Sequence, residues 1–266
     1  MIDSSDSPIL KYMSNNIKGK FSFLASQLPE MSVQQLNGLQ YVDCGRQSDT
    51  FNTVFGMPTC TSEIETITRY FRQNDRPAAW WFPSSPSEYR EGLYQAGWVH
   101  EENEVGMHLD LTATLKVPEP VLSRIEYCDN LERFNDFGRV LSTIFESGNA
   151  TEAENIRAIY QLTGEHSAEL PNCLIQLVGY AGDEAVSTAT VYLKDNVAGI
   201  FDVATPESWR NRGYGSEMFY QALQVAQKRG AAICVLQASP DGLNIYKRFG
   251  FTPSGNFEVW NLSHHT

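Results

Sequence analysis

The pattern of apolar and polar positions divides the chain into two parts of different regularity. In the first part, residues 62–74 space their apolar side chains along one face of a helix, and residues 78–82 form a short apolar strand. Ser62, with Glu65 three residues later, has the spacing of a capping box at the start of that helix. Two prolines within residues 115–122 disfavour a helix, so we interpret this stretch as a linker.

After the linker, predicted strands and helices follow one another in a regular order. Alternating or continuously apolar runs predict strands, and apolar residues spaced three or four apart predict amphipathic helices. The predicted elements are strand 123–129, helices 131–145 and 151–162, strands 173–181, 185–194 and 197–205, helix 213–229, strand 231–239, helix 242–249 and strand 257–262. Hairpins followed by alternating strands and helices predict an α+β fold, a mixed α/β sheet with helices around it.

Composition and charge exclude several classes of protein. The 266 residues are enough for two domains, and 42% hydrophobic residues allow each a core. A net charge of −12 argues against nucleic acid as a partner, because phosphate backbones bind basic surfaces. Five scattered cysteines without a CxxC pair favour neither disulfides nor a zinc site, and we expect no metal. No segment resembles a signal peptide or a membrane span, so we expect a cytoplasmic protein without membrane association.

The clearest chemical signal is the turn at residues 210–216, which links a predicted strand to a predicted helix. Its sequence is Arg210-Asn211-Arg212-Gly213-Tyr214-Gly215-Ser216. Free backbone N–H groups and the positive end of the helix dipole make such a turn an anion site, and the arginines add charge-assisted contacts. A Rossmann motif is excluded because Met218 stands where its third glycine belongs, and no Walker motif is present. Taken alone, the glycines equally fit an ordinary turn before a surface helix.

Two motifs in the right order resemble the GNAT superfamily of N-acetyltransferases over residues 123–262. The first is Arg-x-x-Gly-x-Gly, matched by Arg210, Gly213 and Gly215. The second is a strand, a helix and a Tyr-x-x-x-Gly-Phe ending in residues 237–251. The resemblance implies the GNAT fold, in which helices flank a central and mostly antiparallel sheet. It also implies acetyl-CoA as the acyl-donor substrate.

The same resemblance implies where acetyl-CoA binds. The main chain of residues 211–216 would hold the pyrophosphate, and the end of the preceding strand would bind the pantetheine arm. The implied cofactor-binding residues are Val203, Ala204, Thr205, Arg210, Asn211, Arg212, Gly213, Tyr214, Gly215, Ser216 and Ser239.

The resemblance also assigns one catalytic group and leaves another open. Tyr246 matches the tyrosine often proposed to protonate the thiolate that leaves, although a tyrosine on an amphipathic helix also fits simple core packing. The base that accepts the amine proton is either Asp202 or Glu146, and each carboxylate also fits a purely structural role. A carboxylate position used by many GNAT enzymes falls on Gly199 here.

The first half contains a weaker copy of the second motif. Residues 84–111 and 238–262 both run through Ser-Pro, a helix, Gly-aromatic, a polar turn and a strand. Aligning Gly97 with Gly250 places Leu93 opposite Tyr246, and the first half has no Arg-x-x-Gly-x-Gly motif. We therefore predict two tandem domains. Residues 1–117 form a degenerate GNAT-like domain and residues 118–266 the catalytic GNAT domain, with Trp80 and Trp81 either in a core or in the acceptor cleft.

These observations favour one function and leave two alternatives. The favoured function is transfer of an acetyl group from acetyl-CoA to a primary amine, by direct attack in a ternary complex. The alternatives are a CoA-binding sensor without turnover and an enzyme that uses a longer acyl-CoA. The acceptor class is a small-molecule or peptide amine. The sequence does not select the acceptor, the acyl chain length or the oligomeric state.

Overall fold

The computed structural model describes residues 7–84, 89–169, 172–239 and 242–262. Within these ranges the chain forms two compact units. The N-terminal unit comprises Met1–Met107, Gln237–Leu243 and Pro253–Thr266, and the C-terminal unit comprises His108–Leu236 and Asn244–Thr252. Each unit therefore includes a short piece of the other half of the chain. The predicted domain division at residues 117 and 118 stays a prediction.

The N-terminal unit is a mixed sheet with three helices among its described residues. Its elements are α1 (Pro8–Gln27), β1 (Ser32–Leu36), β2 (Leu39–Asp43), β3 (Thr53–Phe55), α2 (Thr61–Gln73), β4 (Ala78–Pro83), α3 (Tyr89–Gln95), β5 (Val99–Asp110) and, from the end of the chain, β11 (Thr252–Leu262). The strand order is β1-β2-β3-β4-β11-β5. β3 and β4 are parallel, and β11 is antiparallel to β4. The predicted helix 62–74 and strand 78–82 are confirmed as α2 and β4.

The core of this unit contains the apolar stripe of α2 and the first of the two tryptophans on β4. Trp80 is completely buried, and its ring meets that of Trp98 edge-on with centroids 5.2 Å apart. Its indole Nε1 donates to the main-chain oxygen of Gly56 at 2.8 Å, as a buried indole requires. Trp81 is half-buried and lines a cavity of about 150 Å³ together with Phe55 and Phe257.

The predicted capping box at the start of α2 is wrong. The helix begins at Thr61, and Cys60 is the N-cap residue without a side-chain capping bond. Ser62 therefore lies inside the first turn. Glu63 takes over the capping role, because its carboxylate accepts the main-chain N–H of Thr59 at 2.7 Å.

The C-terminal unit contains the predicted order from strand 123–129 to helix 242–249, whereas the predicted strand 257–262 is β11 of the N-terminal unit. Its elements are β6 (Arg124–Tyr127), α4 (Leu131–Ser142), α5 (Ala150–Glu165), β7 (Leu174–Ala181), β8 (Glu184–Lys194), β9 (Val197–Ala204), α6 (Tyr214–Lys228), β10 (Ile233–Ala238) and α7 (Leu243–Arg248). β6 to β9 are consecutive antiparallel neighbours, and β10 is parallel to β9. The predicted mixed α/β class is confirmed. No helix in the described ranges has the length and apolar composition needed to cross a bilayer.

Each unit includes the end of a strand from the other half of the chain. β11, the last strand of the second half, belongs largely to the N-terminal unit, where Trp260 pairs with Trp80 of β4. Conversely, the end of β5 belongs to the C-terminal unit, where the N–H of Leu111 donates to the oxygen of Ala232 at 2.9 Å, just before β10. Neither unit is therefore built from one continuous half of the chain.

An ion pair between a buried glutamate and a partly exposed arginine connects β11 to α3 within the N-terminal unit. Glu258 on β11 is 2% exposed, and its two carboxylate oxygens accept from Nε of Arg90 at 3.1 and 3.0 Å. The indole Nε1 of Trp260 donates to the same carboxylate at 3.1 Å. The bond to Glu258 raises the pKa of the Arg90 guanidinium above its usual value. The pair satisfies a charge that would otherwise be buried without a partner.

We expect Arg90→Met to lower the free energy of unfolding by about 1–3 kcal/mol, because it leaves the Glu258 carboxylate buried without its cation. The Arg90 side chain is itself 45% exposed, which keeps the loss below that of a fully buried pair. Urea unfolding measures the change. Arg69→Met on the exposed face of α2 is the control and should change stability by less than about 0.5 kcal/mol. Equal effects of the two substitutions would show that the ion pair does not stabilise the unit.

Candidate active site

Two parallel strands of the C-terminal unit pair over only part of their length. The paired residues are Val197 with Ile233, Ala198 with Cys234 and Gly199 with Val235. β9 nevertheless continues to Ala204 as an extended strand. Where parallel strands separate, main-chain N–H and C=O groups face an opening instead of a neighbouring strand. β9 therefore has no partner in β10 beyond Gly199, and we call this end of the pairing the opening.

A β-bulge distorts the end of β9 beside this opening. The register shifts by one residue between the pairs Thr188–Ala204 and Thr190–Phe201. Asp202 lies in the bulge with a φ of +53°, in the left-handed region that residues other than glycine rarely adopt. No residue of β8 is paired with Val203 in the register of β8 and β9, and both strands lie wholly within the described residues. The bulge thus interrupts the regular pairing within the segment predicted to bind pantetheine.

Hydroxyl groups hold the strand just after the bulge. Ser187 Oγ donates to the main-chain oxygen of Ala204 at 3.0 Å and lies 3.2 Å from Oγ1 of Thr205. Gly215 lies on the other side of Thr205, since a Cβ on this glycine would be 3.1 Å from the same Oγ1. The structure therefore brings the end of the predicted pantetheine segment into contact with the predicted pyrophosphate turn.

The turn before α6 directs main-chain N–H groups away from the helix. Asn211 and Gly213 have φ values of +63° and +89°. Gly213 is the N-cap residue of α6 and has no side-chain capping bond. The first helical bond runs from the N–H of Glu217 to the oxygen of Gly213 at 3.0 Å. The N–H groups of residues 213–216 therefore lack helical carbonyl partners and lie at the positive end of the helix dipole.

The two arginines of the turn have different surroundings. Arg210 Nε donates to the main-chain oxygen of Thr205 at 3.1 Å, which ties the turn back to the end of β9. The guanidinium of Arg212 lies 5.0 Å from the ring centroid of Trp209 and donates to the oxygen of Ser208 at 3.1 Å. Both arginines are exposed and place positive charge beside the turn.

The linker covers this turn, a contact that sequence reasoning missed. Glu217 on α6 is 7% exposed, and its carboxylate accepts the N–H groups of Val121 and Leu122 at 2.6 and 2.7 Å. The side chain of Val121 lies beside Gly213, where a Cβ would come within 3.3 Å of it. An acidic residue in the first turn of a helix is common because of the helix dipole, so Glu217 gave no specific signal for this contact.

Tyr246 lies on α7 against the same helix that begins at the turn. Its ring centroid is 4.9 Å from that of Phe219 on α6 and 6.2 Å from that of Phe251. Phe219 is completely buried, whereas Tyr246 is half-buried. α6 therefore connects the two sequence motifs: its first turn is the predicted pyrophosphate site, and Phe219 packs on the tyrosine ring.

The two candidate bases lie in different environments. Asp202 is half-buried in the bulge of β9, and its Oδ2 accepts from the hydroxyl of Tyr160 at 3.1 Å. Glu146 follows α4 at the surface, where its 51% exposed side chain forms an ion pair with Arg157 at 2.8 Å. Only Asp202 is on the strand that borders the opening.

Comparison with known proteins connects this geometry to a family. Residues 140–251, which include β9, the turn, α6 and Tyr246, match the acetyltransferase (GNAT) family model. Residues 140–251 therefore form a GNAT-family segment of the chain. Family membership supports acetyl transfer as the general activity, acetyl-CoA as the donor and amines as the general class of acceptor. No curated protein matches the sequence significantly.

Solved structures extend the GNAT fold over both halves of the chain. A GCN5-related N-acetyltransferase from Kribbella flavida is 16% identical, with a TM-score of 0.67, and the match covers 95% of this chain and 96% of that one. A tandem GNAT protein from the clavulanic acid biosynthesis pathway is 10% identical, with a TM-score of 0.57 and coverage of 98% and 96%. A GCN5-related N-acetyltransferase from Sphaerobacter thermophilus is 12% identical, with a TM-score of 0.56 and coverage of 97% and 93%. At these identities the similarity shows the fold alone.

The remaining predicted residue of this GNAT site, Ser239, lies at the turn before α7. Its main-chain oxygen accepts the N–H groups of Gly242 and Leu243, each at 3.1 Å. Ser239 itself is exposed. The structure therefore assigns it a role in starting the helix that carries Tyr246, and its predicted contact with the cofactor stays a prediction.

The two helix ends that the sequence comparison aligned have the same local geometry. Gly97 and Gly250 have φ values of +90° and +94°. In the first copy the main-chain N–H of Trp98 donates to the main-chain oxygen of Leu93 at 2.9 Å. In the second copy the main-chain N–H of Phe251 donates to the main-chain oxygen of Tyr246 at 3.2 Å. The alignment of Leu93 with Tyr246 therefore joins equivalent positions. The residues Ser85-Pro86 and Pro240, which belong to the aligned Ser-Pro pairs, lie outside the described residues.

Proposed function

We propose that this chain transfers an acetyl group from acetyl-CoA to a primary amine by direct attack in a ternary complex. The observation that carries the proposal is the separation of β9 from β10 beside the turn of residues 210–216. One continuous segment thereby presents main-chain groups along an extended strand end and then four N–H groups at a helix N-terminus. This order suits a ligand with an amide-containing arm that ends in a pyrophosphate.

The residues present fit acetyl-CoA as the donor substrate. The N–H groups of residues 213–216 would bind the pyrophosphate, with Arg210 and Arg212 adding positive charge. Main-chain groups of Val203 would bind the pantetheine arm, because Val203 lies beyond Gly199, where β9 no longer pairs with β10. Acetyl-CoA supplies a thioester carbonyl that a neutral amine attacks.

Two side chains would move protons in the proposed reaction. Asp202 accepts the proton that the amine loses as its nitrogen forms the new C–N bond, directly or through a water. Tyr246 donates its phenolic proton to sulfur as the C–S bond breaks, and takes a proton back from solvent afterwards. The products are the acetylated amine and free CoA thiol. Atoms and charges balance without an oxidant or reductant.

Asp202 is the better of the two candidate bases. It lies on the strand that borders the opening, at the bulge where the pantetheine arm is proposed to end. Glu146 is held by Arg157 at the protein surface. We therefore assign proton acceptance to Asp202 and a surface ion pair to Glu146.

We expect Asp202→Asn to lower kcat with an alkylamine by about 10- to 100-fold, because the amide cannot accept the proton. Thiol release from acetyl-CoA measures the rate. Glu146→Gln is the matched control and should stay within about twofold of wild type, since it removes only an exposed ion pair. An aromatic amine, already neutral at pH 7, should lose less rate than an alkylamine in the Asp202 variant. A larger loss with Glu146→Gln would reverse the assignment.

The test of the function itself is acceptor-dependent thiol release across alkylamines, amino acids, aminoglycosides and peptides with free amines. Acetyl-CoA binding is measured separately by calorimetry. Binding without acceptor-dependent thiol release would contradict the enzyme and support the CoA-binding sensor instead. Faster turnover with butyryl-CoA than with acetyl-CoA would show that the donor is a longer acyl-CoA, and the reaction would still be acyl transfer to an amine.

A further inference from the structure

A completely buried tyrosine faces the proposed base from the helix layer. Tyr160 on α5 has no exposed surface, and its hydroxyl donates to Oδ2 of Asp202 at 3.1 Å. Its ring packs against that of Phe137 on α4, with centroids 4.6 Å apart. A buried hydroxyl without a hydrogen-bond acceptor costs free energy. The Asp202 carboxylate supplies that acceptor, and the same bond orients the carboxylate. Burial and the nearby carboxylate raise the pKa of Tyr160 well above its usual value, so the phenol remains a donor.

The main chain of Asp202 is held independently of its side chain. Its left-handed φ of +53° costs conformational energy for a residue with a Cβ. Thr188 Oγ1 donates to its main-chain oxygen at 2.8 Å. The backbone is therefore fixed from β8 and the carboxylate from α5. A strained conformation held from two sides in this way marks a position where orientation is selected.

We propose that Tyr160 is a positioning residue that fixes the Asp202 carboxylate for proton acceptance. This inference rests on the proposed role of Asp202. Tyr160 contacts no reacting atom in the proposal. It acts by restricting the carboxylate to one orientation, with Oδ2 bound to the phenol and the group held at the bulge beside the opening.

Phenylalanine isolates the contribution of the hydroxyl, because it keeps the ring and its contact with Phe137. We expect Tyr160→Phe to lower kcat by about tenfold with the KM for acetyl-CoA unchanged, since a misoriented base affects the chemical step and not donor binding. The acceptor is the amine of the panel that gives the fastest thiol release with wild type.

The C-terminal unit offers a matched control. Tyr180 on β7 donates to Oδ2 of Asp136 at 2.7 Å and is also buried. Its pKa is raised by burial and by that carboxylate, as for Tyr160. Tyr180→Phe therefore removes the same type of bond between the same sheet and a neighbouring helix, and it should leave kcat within about twofold of wild type.

A double-mutant cycle separates positioning from a structural role. If Tyr160 acts through Asp202, Tyr160→Phe should have no further effect on kcat in the Asp202→Asn background. If the losses of kcat in the two single variants multiply in the double variant, the positioning role is overturned and Tyr160→Phe has a general effect on the fold. The same conclusion follows if Tyr160→Phe and Tyr180→Phe lower kcat equally. A wild-type rate in Tyr160→Phe together with a slow Asp202→Asn would overturn the positioning role alone. An unchanged rate in Asp202→Asn, or no turnover by wild type, would overturn the proposed function as well.

Discussion

Replacement of Tyr246 by phenylalanine is expected to lower kcat for thiol release by about 100- to 1,000-fold. The substitution removes the phenolic proton that we assign to the departing sulfur. It retains the ring and therefore the contacts with Phe219 and Phe251. Steady-state kinetics with acetyl-CoA and the fastest amine measure the change, and calorimetry should give a Kd for acetyl-CoA within about twofold of wild type.

A second tyrosine provides the control for this experiment. Tyr220 lies on α6 beside Phe219, and its hydroxyl accepts from Nε2 of Gln224 at 2.7 Å. Tyr220→Phe removes a phenol from the neighbouring helix without touching the proposed proton path, and its kcat should stay within about twofold of wild type. A Tyr246→Phe enzyme as fast as Tyr220→Phe would show that sulfur takes its proton from another group or from water. Loss of acetyl-CoA binding would instead indicate that Tyr246 packs the site.

Replacement of Gly213 by valine is expected to weaken acetyl-CoA binding by more than about 100-fold. A β-branched residue is strongly disfavoured at the φ of +89° found there. The added side chain would also press on Val121, since the Cβ alone comes within 3.3 Å of its Cγ2. The turn must then change shape, and the N–H groups of residues 213–216 would no longer converge on one anion. Calorimetric titration with acetyl-CoA measures the loss.

The other end of α6 supplies a control with the same backbone strain. Gly230 has a φ of +85°, and nothing lies within 4 Å of the position of its missing Cβ. Gly230→Val should lower thermal stability as Gly213→Val does, and it should bind acetyl-CoA like wild type. Equal loss of binding in the two variants would mean that the damage comes from destabilisation and not from the turn.

The C-terminal elements could be predicted because local patterns determine them. The alternation in residues 185–194 and the helical spacing in residues 213–229 are strong, and β8 and α6 form there with ends shifted by a residue or so. The helix α1 was missed because its sequence, Pro8–Gln27, mixes polar and apolar residues without a clear stripe. The place of β11 beside β4 was also not predictable, since strand partners far apart in sequence leave no periodic signal.

The features of the candidate site also separate into those that the local sequence predicts and those that depend on tertiary structure. The turn at residues 210–216 was predictable because glycine and arginine spacing is a local property of the chain. The bulge at Asp202 was not, because its strand reads as a regular apolar run. The bond from Tyr160 joins positions 42 residues apart and depends on how α5 packs on the sheet. Local sequence thus predicts the groups that would bind the donor, whereas our proposal of Asp202 over Glu146 as the base rests on tertiary structure.

Each unit includes a strand end from the other half of the chain, so deletion of either half would remove part of both units. In the predicted tandem arrangement the first half has Leu93 in place of the tyrosine and no catalytic role of its own. Here deletion of the first half would remove the end of β5, which belongs to the C-terminal unit, and would leave β11 without β4. Exposed strand edges of that kind promote aggregation. We therefore expect the second half to need the first for folding.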